Sequence, residues 1–206
     1  ARLYVVFTRT DPAKGMSNGC TSFLIPKDHP GMKFGRVHDK MGFRLLRNQE
    51  IFFENCRVPK EWMLGPLHGG LASMRAGLKS DGILNAARCL GVARRAFEEI
   101  VNWCKGRVQG GKPVIEHQVI ACELADMHVT LQAMRALVWS VAWSIDHEPP
   151  DPKAVPGVMA YCTENAFEIA HKAAELAGGM GVMKNMPFEK LLRDAFCIKH
   201  LDGGNY

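Results

Sequence analysis

The protein is a chain of 206 residues with 47% hydrophobic and 23% charged residues, a formal net charge of +5 and a pI near 8.9. A chain of this length and apolar content buries a substantial core in one or two domains, and the composition excludes an intrinsically disordered protein. Lysine and arginine are scattered among acidic residues, which argues against a nucleic-acid partner. No run of about 18 apolar residues is present, so no membrane-spanning helix is expected.

The seven cysteines are odd in number and widely spaced, at positions 20, 56, 89, 104, 122, 162 and 197. They form no C-x-x-C pair, and the eight histidines form no H-E-x-x-H motif. We therefore predict no metal site. Unpaired thiols are typical of proteins from a reducing compartment, where small buried cysteines are ordinary core residues.

The first part of the chain reads as β structure. Short β-branched and aromatic runs at 3–7, 21–26, 51–53 and 56–59 are separated by segments rich in glycine, proline, aspartate and asparagine. This pattern predicts a small antiparallel β unit over residues 1–65.

After Gly65-Pro66 the hydrophobic period changes to that of a helix. Three helices are marked by apolar residues in alternating steps of three and four, over 86–104, 120–145 and 158–176, and Pro149-Pro150 ends the second. With a short helix that follows Pro187, they predict an antiparallel four-helix bundle over residues 66–206. The predicted fold class is α+β, mainly α.

The C-terminal stretch 175–206 contains one short helix between two glycine-rich turns. The preceding helix is predicted to end at Leu176-Ala177, before Gly178-Gly179-Met180-Gly181. Asn185 is the expected cap and Pro187 the first-turn residue of the short helix. Asp202 follows that helix and precedes two glycines.

Three motifs, in order along the chain, carry a family resemblance. They are Lys40-Met41-Gly42 followed by FFENCRVP at 52–59, RVQGGKP at 107–113 followed by Glu116-His117-Gln118, and GGMG at 178–181 followed by PFEKLLRDA at 187–195 and Asp202-Gly203. Together they resemble the acyl-CoA dehydrogenase family. The resemblance covers the end of that family's middle β-domain (1–65) and its C-terminal helical domain (66–206). It implies that an N-terminal helical domain, the first part of the β-domain and a final helix lie outside this chain.

The resemblance implies an FAD-dependent α,β-dehydrogenation of an acyl-CoA thioester. Asp202 would be the base that removes the α proton, because such a proton is weakly acidic. Contacts with FAD would come from Arg107, Gln109, Glu175, Gly178, Gly179 and Gly204. Arg107 would reach the pyrophosphate of a neighbouring subunit's flavin, in a homodimer or homotetramer. Electron-transfer flavoprotein would be the acceptor, in a bacterial cytoplasm or a mitochondrial matrix.

Several positions depart from the family pattern. Asp202 replaces the usual Glu, Gly110 an aromatic residue, Glu175 a Gln, Gly204 a Thr, and Gly82 an arginine near the substrate. Two alternatives therefore stay open: a flavin oxidase or monooxygenase of the same fold, and a non-catalytic paralogue that serves as an assembly subunit.

Other site residues have purely structural alternatives. Asp202 is also a common turn residue, and Arg107 is also a favourable cation near a helix C-terminus. An ion pair with Glu189, four residues earlier on the same helix, accounts for Arg193 without any function. His200 is either exposed to solvent or a neighbour that tunes Asp202.

Overall fold

A computed structural model describes residues 1–149 and 151–201, except for the side chains of residues 78–80. The chain divides into two compact units. The first contains residues 1–39 and 45–80, and the second contains residues 40–44 and the chain from Asp81 onward. The structure is mainly helical with small antiparallel sheets, which confirms the predicted fold class. The domain boundary after residue 65 stays a prediction.

The first unit contains two antiparallel sheets. Strands β1 (Leu3–Arg9), β2 (Cys20–Pro26) and β5 (Met63–Leu64) form one sheet in the order β1-β2-β5, with the short helix α1 (Gly15–Asn18) between β1 and β2. Strands β3 (Met32–Val37) and β4 (Gln49–Phe53) form the other. In the first sheet, Leu3 lies opposite Pro26 and Arg9 opposite Cys20. The predicted antiparallel β unit is confirmed.

Two details of the β prediction are wrong. Residues 56–59 form a loop, because Asn55 has a positive φ of 47° that ends the extended backbone just before them. The second strand of the smaller sheet is instead Met32–Val37, whose apolar alternation is interrupted at Gly35-Arg36. Its pairing with β4 shifts register between Phe34 and Val37, an irregularity that hides the strand from pattern analysis.

Four long or amphipathic helices follow the β strands: α2 (Gly70–Gly106), α3 (Gln118–His147), α4 (Ala154–Leu176) and α5 (Phe188–Lys199). A small hairpin of β6 (Val108–Gln109) and β7 (Lys112–Pro113) joins α2 to α3. The second helix ends at His147, before Pro149, as predicted.

The four helices share one hydrophobic core. Its buried members recur at the predicted helical spacing: Ala86, Ala93, Ile100 and Cys104 on α2; Leu124, Met127, Leu131, Met134 and Val138 on α3; Val158, Cys162, Ala166, Ile169 and Ala173 on α4; Phe188, Leu191 and Ala195 on α5. α4 packs against both α3 and α5. Ile145, which was expected to continue the α3 seam, is half exposed in the last turn of that helix.

The short C-terminal helix begins later than expected. Pro187 occupies its cap position, and no side chain caps the first turn, so the predicted role of Asn185 is wrong. The first backbone bond of this helix runs from Leu191 N to Pro187 O, two residues beyond Asn185. The predicted stop at Leu176-Ala177 is confirmed.

Candidate functional site

A hairpin places Arg107 and Gln109 at the end of α2. Its turn residues Gly110 and Gly111 have φ values of 60° and 81°, as a two-residue hairpin turn with two left-handed positions requires. The backbone NH of Val114 donates to the carbonyl oxygen of Arg107 at 2.8 Å. The Nε2 atom of His117 lies 3.0 Å from the carbonyl oxygen of Gln109. The backbone that carries both predicted cofactor residues is therefore held from both sides.

The absence of the family's aromatic side chain at Gly110 has a local reason. An L-residue with a bulky side chain is strained at a φ of 60°. A Cβ atom added there would also come within 3.3 Å of His117 Cε1. The hairpin conformation and the His117 ring together favour glycine.

The glycine-rich turn after α4 supplies the opposite wall of the site. Ala177 ends the helix, Gly178 follows with a φ of 61°, and a 3₁₀ segment runs over Gly178–Val182. Gly178 and Gly179 are exposed, and a Cβ atom added at either would meet no other atom within 4 Å. Their backbone is therefore open to a ligand from the solvent side.

These two segments enclose a cavity of about 480 Å³. Its lining residues are Trp103, Arg107, Gln109, Val114, Leu176, Ala177, Gly178, Gly179, Met180 and Met183. The fold thus brings together Arg107, Gln109, Gly178 and Gly179, which are some 70 positions apart in sequence and were singled out from separate motifs.

The charge and polarity of this cavity suit an anionic ligand with an apolar part. The side chain of Arg107 is exposed and makes no ion pair with a carboxylate in the described part of the chain. A guanidinium beside open glycine backbone is a favourable arrangement for phosphate oxygens. Trp103, Leu176 and Met180 add apolar surface. The residues present therefore fit part of a flavin dinucleotide.

Glu175 lies near this cavity in sequence but is not among its lining residues. Its carboxylate is exposed and approaches His171 Nε2 at 3.6 Å, one helical turn earlier. The His171 ring in turn stacks on Phe167, with ring centroids 6.0 Å apart. The predicted contact of Glu175 with a cofactor stays a prediction.

Asp202 and Gly204 lie outside the described residues, so their predicted roles also stay predictions. The helix that leads to them is anchored at its last turn. Lys199 pairs with Glu164 of α4 at 2.5 Å, and the His200 ring lies 4.7 Å from the ring of Phe196.

The R-D motif of α5 has a structural role. Arg193 forms a double hydrogen bond with Glu189, at 2.7 and 3.0 Å, which confirms the predicted helical ion pair. This bond raises the pKa of Arg193 and lowers the pKa of Glu189. Both residues of the motif, Arg193 and Asp194, also contact the backbone of the loop 40–44. The carboxylate of Asp194 accepts a hydrogen bond from the backbone NH of Phe43 at 2.6 Å, and the guanidinium of Arg193 donates one to the carbonyl oxygen of Met41.

The K-M-G segment and the R-D motif are therefore two halves of one contact, which sequence reasoning missed. The motifs are some 150 residues apart. The signal that could have joined them is chemical: an Arg-Asp pair offers both a donor and an acceptor for the backbone of an irregular loop.

Within residues 1–149 and 151–201, no group of three or more His, Cys, Asp or Glu side chains is arranged to hold a metal ion. In the same residues, no helix combines the length and the apolar character that crossing a bilayer requires.

Comparison with known proteins gives consistent matches. Residues 68–205 match the family model of the acyl-CoA dehydrogenase C-terminal domain. The chain is 37% identical to mitochondrial isovaleryl-CoA dehydrogenase of Oryza sativa subsp. japonica over 195 residues, covering 95% of this chain and 47% of that protein. It is 35% identical to cyclohex-1-ene-1-carbonyl-CoA dehydrogenase of Geobacter metallireducens over 208 residues, covering 100% of this chain and 54% of that protein.

A solved structure shows the same fold. Butyryl-CoA dehydrogenase of Megasphaera elsdenii matches with a TM-score of 0.96 and 32% identity, over 100% of this chain and 53% of that one. The chain thus spans about half the length of the relatives it matches. The family is flavin-dependent, and two of its motifs, RVQGGKP at 107–113 and GGMG at 178–181, contribute residues to the lining of the cavity. On sequence and fold together, the chain belongs to the acyl-CoA dehydrogenase family.

Proposed function

We propose that the whole protein is an FAD-dependent acyl-CoA dehydrogenase that introduces an α,β double bond into an acyl-CoA thioester. The observation that carries this proposal is the cavity in which Arg107, Gln109, Gly178 and Gly179 meet. Four residues from two distant family motifs converge there, and their chemistry suits a dinucleotide.

Each residue has a defined task in this proposal. Arg107 pairs with the pyrophosphate of a neighbouring subunit's flavin, because a guanidinium stays charged and binds two phosphate oxygens at once. Gly178 and Gly179 let the dinucleotide approach the backbone. Asp202 takes the α proton of the thioester, while Gln109, Glu175 and Gly204 are the remaining proposed contacts. Bound FAD would supply the hydride acceptor for the β hydrogen.

The substrate class follows from the family. The relatives named above act on branched, cyclic and short straight acyl-CoAs, as their names state. We assign an acyl-CoA thioester to this protein and leave its acyl group open. Electron-transfer flavoprotein is the proposed acceptor, and a bacterial cytoplasm or mitochondrial matrix the proposed location.

A homo-oligomer, dimer or tetramer, is part of the same proposal. Trp139 and Trp143 lie one turn apart on α3 and are 71% and 56% exposed. Two neighbouring exposed tryptophans are unusual on a monomer and typical of the centre of an interface. They support a face at which a second copy packs.

The test is a visible spectrum of the full-length protein with added FAD, followed by anaerobic addition of straight-chain and cyclic acyl-CoAs. We expect a bound flavin whose absorption band is bleached by at least one acyl-CoA, and no bleaching in Asp202→Asn. Asp28→Asn, a change at an exposed loop carboxylate, is the matched control and should bleach like the wild type.

Other outcomes separate the alternatives. Bleaching that is rapidly reversed by oxygen with hydrogen peroxide release would favour an oxidase. A protein that binds no flavin would refute the proposal and support a non-catalytic assembly subunit.

A further inference from the structure

Cys56 and His29 form a thiol–imidazole pair in the first unit, outside the cofactor cavity. The Sγ atom of Cys56 lies 3.3 Å from Nδ1 of His29, although the two residues are 27 positions apart. Both belong to loops, one after β2 and one after β4. Neither residue has a role in the function proposed above.

The hydrogen bonds of His29 define its tautomer. Its Nε2 atom lies 3.1 Å from the carbonyl oxygen of Arg57, and a carbonyl oxygen only accepts. Nε2 therefore carries the hydrogen, and Nδ1 presents a lone pair. The backbone NH of Gly31 donates to Nδ1 at 3.0 Å, as this tautomer requires. Because Nδ1 has a single lone pair, the Gly31 NH and the Cys56 thiol share it, and Nδ1 can take the thiol proton only as its hydrogen bond from Gly31 breaks.

The pair is held in place by close packing. A Cβ atom at Gly31 would come within 2.5 Å of Cys56 Cα and 2.8 Å of its Cβ, so only glycine lets the His29 loop approach this far. The backbone NH of Glu54 also donates to the carbonyl oxygen of Gly31 at 2.9 Å. The rings of Trp62 and His29 form a T-shaped pair, with centroids 6.0 Å apart.

The thiol also has space in front of it. Cys56 is half-buried and lines a cavity of about 410 Å³, whose other walls are almost entirely apolar: Val6, Phe7, Thr8, Phe23, Ile25, Phe53 and Val58. A small uncharged molecule can therefore reach the sulfur without desolvating a charge.

We propose that Cys56 is a nucleophilic thiol, with His29 as its proton acceptor, and that it is a modification site for small uncharged disulfides. The Cys56 sulfur attacks one sulfur of the disulfide, forming a new S–S bond as the old one breaks. Cys56 is oxidised to a mixed disulfide and the departing sulfur is reduced. The proton passes from Cys56 to Nδ1 of His29 and then to the departing thiolate, which leaves as a thiol.

Five of the other six thiols have different surroundings. Burial raises the pKa of Cys89 to about 12 and of Cys162 to about 11, and it also raises the pKa of Cys104. Cys20 is 5% exposed, and its thiol donates to the sulfur of Met16 at 3.7 Å. Cys122 is exposed on α3. It therefore serves as the reference for an accessible thiol.

The experiment exposes the full-length protein to substoichiometric 4,4′-dithiodipyridine, a neutral aromatic disulfide. Release of the pyridinethione gives the total rate, and peptide mass mapping gives the rate at each cysteine. We expect Cys56 to react first, about tenfold or more faster than Cys122. His29→Asn keeps an acceptor for Gly31 but no base, and should slow Cys56 by about tenfold or more without changing Cys122.

His38→Asn, at an exposed histidine of the same unit, is the matched control and should leave Cys56 fast. Cys20 reports the integrity of the unit, because it becomes reactive only when the unit opens. If His29→Asn exposes Cys20, the comparison is made with His29→Gln. A wild-type Cys56 no faster than Cys122, or a Cys56 rate that survives loss of His29 in an intact unit, would overturn the proposal.

Discussion

At the scale of single residues, Arg107 is the most informative position in the cofactor cavity. We expect Arg107→Gln to weaken FAD binding roughly 10- to 100-fold, because a hydrogen bond to a charged group contributes about 1.5–3 kcal/mol. A fluorescence titration of the apoprotein with FAD measures this change.

The control for this substitution is Lys105→Gln, two residues earlier, which is exposed but absent from the cavity lining. It removes the same charge from the same helix end, and its FAD affinity should stay near that of the wild type. Equal losses in the two variants would mean that general charge, and no specific contact, attracts the dinucleotide.

A second residue-scale prediction concerns the buried thiols of the helical core. The pKa of Cys89 rises to about 12, chiefly because burial desolvates the thiolate and secondarily because Cys162 is close. Above about pH 9 the unfolded chain loses this proton while the folded protein keeps it, so stability falls as pH rises. Between about pH 8 and pH 10.5 we expect Cys89 to account for a loss of about 2 kcal/mol in the free energy of unfolding.

Urea unfolding of the wild type and Cys89→Ala at both pH values checks this. The variant should be less stable at pH 8, where it lacks packing, but should lose about 2 kcal/mol less on going to high pH. Cys122→Ala, at an exposed thiol, should keep the wild-type pH dependence. An unchanged slope in Cys89→Ala would show that water reaches the thiolate in the folded protein.

Sequence reasoning found some of these residues and missed others for a physical reason. Arg107 and Gly178 each belong to a contiguous motif, so a few neighbouring residues in the sequence are enough to predict a cofactor-binding role. The pairing of Cys56 with His29 depends on how two loops approach each other around Gly31, and no local spacing encodes it.

At the scale of elements, α5 holds the loop 40–44 through Arg193, which donates to the carbonyl oxygen of Met41, and through the carboxylate of Asp194. Asp194→Ala leaves the NH of Phe43 without its acceptor, at a residue with a φ of 51°. We expect a loss of about 1–3 kcal/mol in the free energy of unfolding, with faster amide hydrogen exchange confined to residues 40–44.

Two variants separate the possible causes. Asp194→Asn keeps an acceptor oxygen and should lose less than Asp194→Ala. Lys190→Ala removes only the exposed ion pair of Asp194 and should cost under about 1 kcal/mol. Equal effects of Lys190→Ala and Asp194→Ala would place the stabilisation in the ion pair and contradict the loop assignment.

The secondary-structure elements were predicted correctly where the periodic hydrophobic pattern covers many residues, and incorrectly where it covers few. α3 and α4 bury most of the residues of their predicted apolar stripes, Ile145 in the last turn of α3 being an exception, because a long apolar stripe has only one face to bury. β3 and the start of α5 depend on a register shift and on a proline cap, both of which are set by neighbouring chain segments.

At the scale of the whole molecule, the tryptophans of α3 should control assembly. Trp139→Lys with Trp143→Lys places two charges in the proposed interface, and we expect the dissociation constant of the oligomer to rise at least tenfold. Sedimentation over a dilution series measures it. Leu45→Ser, at the fully exposed Leu45, should leave assembly unchanged. An unchanged oligomer in the double variant would assign the interface to another face.

The sequence by itself determined the class of the fold, the number and period of the long helices, and the family, because these are written in repeating hydrophobic positions and in contiguous motifs. Only the tertiary structure decided which distant residues meet. In the folded chain, Arg107 and Gly178 line one cavity, and Asp194 accepts a hydrogen bond from the backbone NH of Phe43. The Glu175 carboxylate lies near the His171 ring, and the Cys56 thiol lies near the His29 ring. Such contacts depend on how whole elements pack, and that packing is fixed by the summed burial of many side chains and not by any local pattern.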